Sequence, residues 1–230
     1  MTTNVKKVLD KICNNKIFDS KLYFTGGTAL AYYLNHRISE DIDIVSAEAL
    51  PYKKIIPSIT AIGAIKIQDE NVTALRMAGL FPDEYIIKFI LDDVKLEFFQ
   101  ANRLIQKEIL SKASFSNFES SKLKILDLKS IAKLKIVALV MRDKSRDLFD
   151  FGSLLEHNVL SEKEIIELFS KMDSKIKSTN DIINFIKYKK VPIDDESVYL
   201  NEKERIDLDF KEIKSQVNES LKKLKHFTNL

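Results

Sequence analysis

The chain has 230 residues, 45% hydrophobic and 31% charged, with 37 Lys and Arg against 34 Asp and Glu for a formal net charge of +3. That composition is ordinary for a globular chain of one or two domains, and so small a charge does not by itself announce a nucleic-acid binder. A single cysteine, Cys13, excludes an internal disulfide framework, and three scattered histidines argue against a histidine-based metal site. The longest apolar runs, YIIKFIL and KIVALVM, fall far short of the ~18 residues of a membrane-spanning helix. The start, MTTNVKKVLDK, lacks the apolar core of a signal peptide, so the expected address is the cytoplasm, with no membrane partner.

Val5, Val8, Leu9 and Ile12 recur at helical spacing and predict an amphipathic helix over 4–18. KLYFT (21–25) reads as a short buried strand running into Gly26 and Gly27, and 28–35 as a helix whose N-terminus faces that turn. A strand over 41–45 follows, and Pro51 opens a helix to about 62. Three β-like runs come next, roughly 64–68, 72–80 and 85–91, then VKLEFF at 94–99, with Asp92-Asp93 as a hairpin turn. This α+β half is expected to span 1–122, ending in the polar stretch SKASFSNFESSK.

From Asp127 onwards the pattern is helical only: DLKSIAKLKIVALVMR, RDLFDFGSLLEH, SEKEIIELFSKM, DIINFIKYKK and a last helix over 205–226. Asp127 and Ser161 are expected N-caps, Ser161 with Glu164 in a capping box. Gly152, inside the second of these helices, costs about 1 kcal/mol against alanine. The expectation is a mixed sheet flanked by helices, followed by an all-helical domain over 123–230.

Chemistry concentrates in GGTALAYYLNHRISEDIDI (26–44). A glycine turn at a helix N-terminus offers backbone N–H groups to a phosphate. Asp41 and Asp43, two residues apart on a strand, point to one face about 7 Å apart. Paired carboxylates beside phosphate oxygens suit Mg²⁺, which takes hard oxygen ligands and keeps some from substrate. A third acid would share a metal or take a proton from an attacking hydroxyl. Glu97 in VKLEFF is the candidate, although alternation also allows Lys95, Glu97 and Phe99 a solvated face.

Between 122 and 146 eight Lys and Arg stand against two Asp, a stretch compatible with polyphosphate or RNA and equally with a solvated helix face. Lys135 has apolar neighbours one turn away on either side, so its charge needs a fixed partner. Arg142 lies two turns along the same face, and Asp147 and Asp150 follow on the next helix. Two readings stay open, an inter-helix ion-pair network or a phosphate-binding Lys and Arg held by those aspartates across a cleft from the metal pair.

GGTALAYYLNHRISEDIDI, together with LKSIAKLKIVALVMRDKSRDLFDF, resembles the motifs of the AbiEii/AbiGii toxin family, a branch of the DNA polymerase β-like nucleotidyltransferases. The resemblance covers about 20–160. It implies a polymerase β-like nucleotidyltransferase domain and transfer of a nucleotide from an NTP to an acceptor hydroxyl with release of pyrophosphate. It further implies the toxin of a bacterial type IV toxin–antitoxin or abortive-infection system, acting on tRNA, with a cognate antitoxin encoded nearby. By position, Asp41, Asp43, Glu97, Lys135 and Asp147 would be catalytic. Gly26, Gly27, Thr28, Arg37, Ser39, Lys135, Arg142 and Asp150 would bind the nucleotide, and Asp41, Asp43 and Glu97 would hold Mg²⁺, with Mn²⁺ as an alternative. Rival readings are nucleotidylation of a protein or small molecule, and a nucleotide-binding regulator without turnover.

Overall fold

In the computed structural model, which describes every residue except 69–71, 194–197, 200–204, 207–208 and 228–230, Val5, Val8, Leu9 and Ile12 are all buried along one face of α1 (Thr3–Ile12). The helix stops there rather than at 18. The Asn15 side chain accepts from the Ile17 N–H and starts a separate 3₁₀ turn at Lys16–Asp19. Then come β1 (Tyr23–Thr25), α2 (Gly26–Leu34), β2 (Ile42–Ser46), α3 (Tyr52–Thr60) and β3 (Ile65–Ile67). The run at 72–80, expected to be β-like, forms α4 (Val72–Met77) instead. Its Ala74-Leu75-Arg76-Met77 sequence is made of strong helix formers, and Gly79 follows at φ 77°.

The remaining strands of this half are β4 (Ile86–Leu91), β5 (Val94–Gln100), β6 (Phe115–Asn117) and β7 (Lys124–Leu126), with α5 (Leu104–Lys112) between β5 and β6. All seven form one mixed sheet in the order β3-β4-β5-β2-β1-β7-β6, parallel at β2/β5 and β1/β7 and antiparallel elsewhere. Asp92 and Asp93 close the β4–β5 hairpin with φ of 50° and 63°, the left-handed pair that a tight two-residue turn demands. Phe24, Ile42, Ile44, Phe89, Leu96 and Phe98 are fully buried on the sheet.

The chain divides into two compact units, one of Met1–Asn35 with Ser39–Asp127, the other of His36–Ile38 with Leu128–Leu230. The first unit runs past the expected boundary at 122 because β7 pairs with both β1 and β6. The second contains α6 (Leu128–Met141), α7 (Ser145–Glu156), α8 (Glu162–Met172), α9 (Thr179–Tyr188) and α10 (Phe210–Phe227). It is not purely helical: β8 (Val198–Tyr199) and β9 (Arg205–Ile206) form a two-stranded ladder, so the final helix begins at Phe210 rather than 205.

Ser161 caps α8 in the expected box with Glu164. Gly152 does not break α7; a Cβ there would lie 3.2 Å from Val217 Cγ2 on α10, so the missing side chain lets these helices close. Lys189, almost wholly buried, donates to the Leu139 and Arg142 carbonyls at the end of α6, and Lys214 donates to the Lys187 and Lys189 carbonyls at the end of α9. Both ammonium groups thus satisfy helix C-termini and oppose their dipoles. Among the described residues no helix is long and apolar enough to cross a membrane.

Candidate active site

In the first unit the glycine turn and the aspartate strand are in direct contact. Gly26 sits at φ 79°, and a Cβ on it would fall 2.0 Å from Asp43 Oδ2. Only glycine meets both demands, because the left-handed backbone and the adjacent carboxylate each exclude a side chain. Thr25, at the N-cap of α2, makes no side-chain cap bond, which leaves the first-turn N–H groups of this helix to be met in other ways. Gly26 is half-exposed, while Gly27 and Thr28 are buried. The Thr28 hydroxyl does not face outward; it donates to the Asp41 carbonyl and ties the helix to the approach of β2. Ser39 is also buried, on the same approach.

Asp41 and Asp43 are both half-buried. Glu97, on β5, lies directly opposite Asp43 in the parallel β2/β5 register, so their side chains share one face of the sheet. Glu97 is not solvated alone on that face. Lys95 Nζ lies 3.1 Å and Lys88 Nζ 3.8 Å from its Oε2. Burial works against the Lys95 charge, but Glu97, Asp41 and Asp43 together more than offset this and hold its pKa above the ordinary value. Among the described residues no group of three or more His, Cys, Asp or Glu is gathered that could hold a metal by itself. The Asp41–Asp43 pair still supplies hard oxygen donors beside a turn that a Cβ would fill. It fits a Mg²⁺ ion that completes its shell with phosphate oxygens and water.

The second unit holds the other expected residues in one ion-pair network. Lys135 Nζ is 2.7 Å from Asp150 Oδ2 and 3.8 Å from Asp147 Oδ1. Arg142 grips Asp147 with two bonds, Nε at 2.6 Å and a terminal nitrogen at 3.0 Å. Arg37, expected to touch nucleotide, is instead buried in a two-bond clamp on Asp150, at 2.6 and 3.1 Å, and its third nitrogen donates to the Ile38 carbonyl. Burial pushes the Asp150 carboxyl up, yet Arg37, Lys135 and the His36 hydrogen bond outweigh it and hold the pKa well below 3.8. The ion-pair network is therefore present, with Arg142 its exposed member at 60%.

Sequence reasoning missed His36, whose Nε2 lies 2.8 Å from Asp150 Oδ1 while its Nδ1 is buried with no hydrogen-bond partner. The signal was its position beside Arg37, but the partner stands 114 residues away. It also missed Lys88, visible only once β4 is paired in register with β5.

The fold is shared with solved structures, one of them a nucleotidyltransferase toxin. MenT4, the nucleotidyltransferase toxin Rv2826c from Mycobacterium tuberculosis H37Rv, superposes with a TM-score of 0.53 at 11% identity, over 96% of this chain and 82% of that one. JHP933 from Helicobacter pylori gives 0.51 at 18% identity, over 97% and 93%. In sequence, the Aquifex aeolicus (strain VF5) protein aq_aa25 is 25% identical over 166 residues, 72% of each chain. A mixed sheet that seats a glycine helix turn against an Asp-x-Asp strand is the frame of an NTP-dependent nucleotidyltransferase, and this chain is one. The sequence model described as "Nucleotidyl transferase AbiEii toxin, Type IV TA system" matches residues 7–228, and the chain belongs to that family.

Proposed function

We propose that this protein is a toxin that transfers a nucleotide from an NTP to a hydroxyl of tRNA, releasing pyrophosphate and halting translation. The observation that carries the reading is the contact between the Gly26 turn and Asp43, which brings a phosphate-binding helix start and a carboxylate pair to one place. The N–H groups of Gly26, Gly27 and Thr28 take the NTP triphosphate, as helix starts do. Thr28, through its bond to the Asp41 carbonyl, fixes the carboxylate pair relative to that start. Asp41 and Asp43 would hold Mg²⁺, which when bound neutralises charge on the phosphates and the departing pyrophosphate.

In the second unit Asp147 and Asp150 hold Arg37, Lys135 and Arg142, of which Arg142 is the exposed member. Lys135 and Arg142 are assigned to the nucleotide phosphates, and Asp147 and Asp150 keep them in place. Arg37 and His36 act through Asp150. Catalysis on this reading is positioning and charge neutralisation. A cognate antitoxin is the expected partner, supported by the family's type IV membership.

The test uses purified protein, Mg²⁺, total tRNA and each α-labelled NTP in turn. Label appears on tRNA with the wild type and is lost with Asp41→Ala and with Asp43→Ala. Label on a protein or small molecule instead would redirect the acceptor assignment, and label unaffected by both substitutions would remove the mechanism.

A further inference from the structure

One face of the first unit's sheet groups Asp41, Asp43 and Glu97 with Lys88 and Lys95. Register sets Asp43 beside Glu97 and Glu97 beside Lys88. Run one residue beyond the Ile42–Leu96 pair, the same register brings Asp41 alongside Lys95. Glu97, only 18% exposed, already has two ammonium partners on a single carboxylate oxygen, at 3.1 and 3.8 Å.

We propose that Lys88 and Lys95 supply the positive charge that a second divalent ion would bring, so that this chain binds one divalent ion, through Asp41 and Asp43, and uses Glu97 as the anchor of the lysine pair rather than as a metal ligand. The inference rests on the reading of Asp41 and Asp43 as the metal pair. Charge supports it. Three carboxylates with two divalent ions carry a formal +1; three carboxylates with two lysines and one divalent ion carry the same +1. A second ion beside the lysines would raise the patch to +3, and each added like charge at this range opposes the next. Neither lysine can ligate a metal, but a fixed ammonium stabilises developing phosphate charge without reorganising. A purely structural cross-strand Lys–Glu pair would add only sheet stability and would leave the number of bound ions unchanged.

The experiment counts Mn²⁺ by electron paramagnetic resonance, with protein in excess of a non-hydrolysable NTP and folding followed by circular dichroism. The wild type takes up one Mn²⁺ per bound nucleotide. Lys95→Gln takes up two, the second tightened about tenfold or more as the resident charge is removed and Glu97 is released. The double variant Lys95→Gln/Glu97→Gln returns to one. Two ions of similar affinity in the wild type, or one ion still in a folded Lys95→Gln protein, overturns the proposal. If Lys95→Gln does not fold, Lys88→Gln, alone and with Glu97→Gln, makes the same comparison. Mn²⁺ binding that survives Asp43→Asn unchanged gives a different result, removing Asp41 and Asp43 as the metal pair and the single-ion site with them.

Discussion

Gly26 carries two constraints on one residue, a left-handed backbone and a carboxylate where a Cβ would be. Gly26→Ala therefore has to move Asp43. It is expected to cost about 1–3 kcal/mol of stability from strain and, on the proposed role of Asp43, to lower nucleotide transfer by about a hundredfold or more through misplacement of its carboxylate. A urea unfolding curve and the tRNA-labelling rate measure the two effects separately. Asp150 is wholly buried among Arg37, Lys135 and His36. Asp150→Asn strands those cations and is expected to cost about 3–5 kcal/mol in the same urea assay. Its pH dependence has a definite sign. With a folded pKa well below 3.8, the carboxylate's stabilisation is complete above that value and is lost as pH falls through the folded pKa. Acid titration below about pH 4 should thus unfold the wild type with a proton-uptake step that Asp150→Asn lacks.

Among the helices, the approach of α7 to α10 depends on Gly152. Gly152→Val is expected to destabilise by about 1–3 kcal/mol through overpacking. Gly152→Ala combined with Val217→Ala should lose less than the sum of its parts, because the added methyl enters the space vacated. Differential scanning calorimetry over the four corners of that cycle decides it. At α8, Ser161→Ala removes the half of the capping box in which the hydroxyl accepts from the Glu164 N–H, and should cost about 1 kcal/mol, read as a lower melting temperature.

Local signals of this kind were legible in the chain. The glycine turn, the Asp-x-Asp strand, the Ser161 cap and the Asp92-Asp93 turn all depend on neighbours within a few residues, where spacing constrains geometry directly. Glu97 could be placed on the correct face by alternation, but its lysines could not, since Lys88 joins it only through the β4–β5 register. The segment at 72–80 misled because Val72 and Thr73 favour strands while the four residues after them favour a helix. The place of Arg37 in the motif assigns it to the nucleotide, with positioning an equal reading; its charge is met by an aspartate far along the chain, which spacing alone could not show.

For the whole molecule, the division into units does not follow the order of the chain, since His36–Ile38 belong with Leu128–Leu230. All seven strands of the large sheet lie before Asp127, so a fragment 1–127 should retain the strand signal in circular dichroism. A fragment 128–230 would keep Lys135 against Asp150 but lose Arg37 and His36. It should be about 3 kcal/mol less stable than the corresponding unit of the full chain, the penalty that Arg37→Met imposes on the intact protein; paired urea midpoints test the equality.

The same interleaving gives the nascent chain a clock. Arg37 leaves the ribosome 113 residues ahead of Asp150, a lag of about 6–23 s at ordinary elongation rates of ~5–20 residues per second. For nearly all of that interval the glycine turn, Asp41 and Asp43 already exist, while the clamp that fixes the segment leading into them does not. A chain cut short between β2 and residue 150 therefore carries Asp41 and Asp43 without that restraint, and completion of α7 is the event in synthesis that first locks residues 36–38 into place.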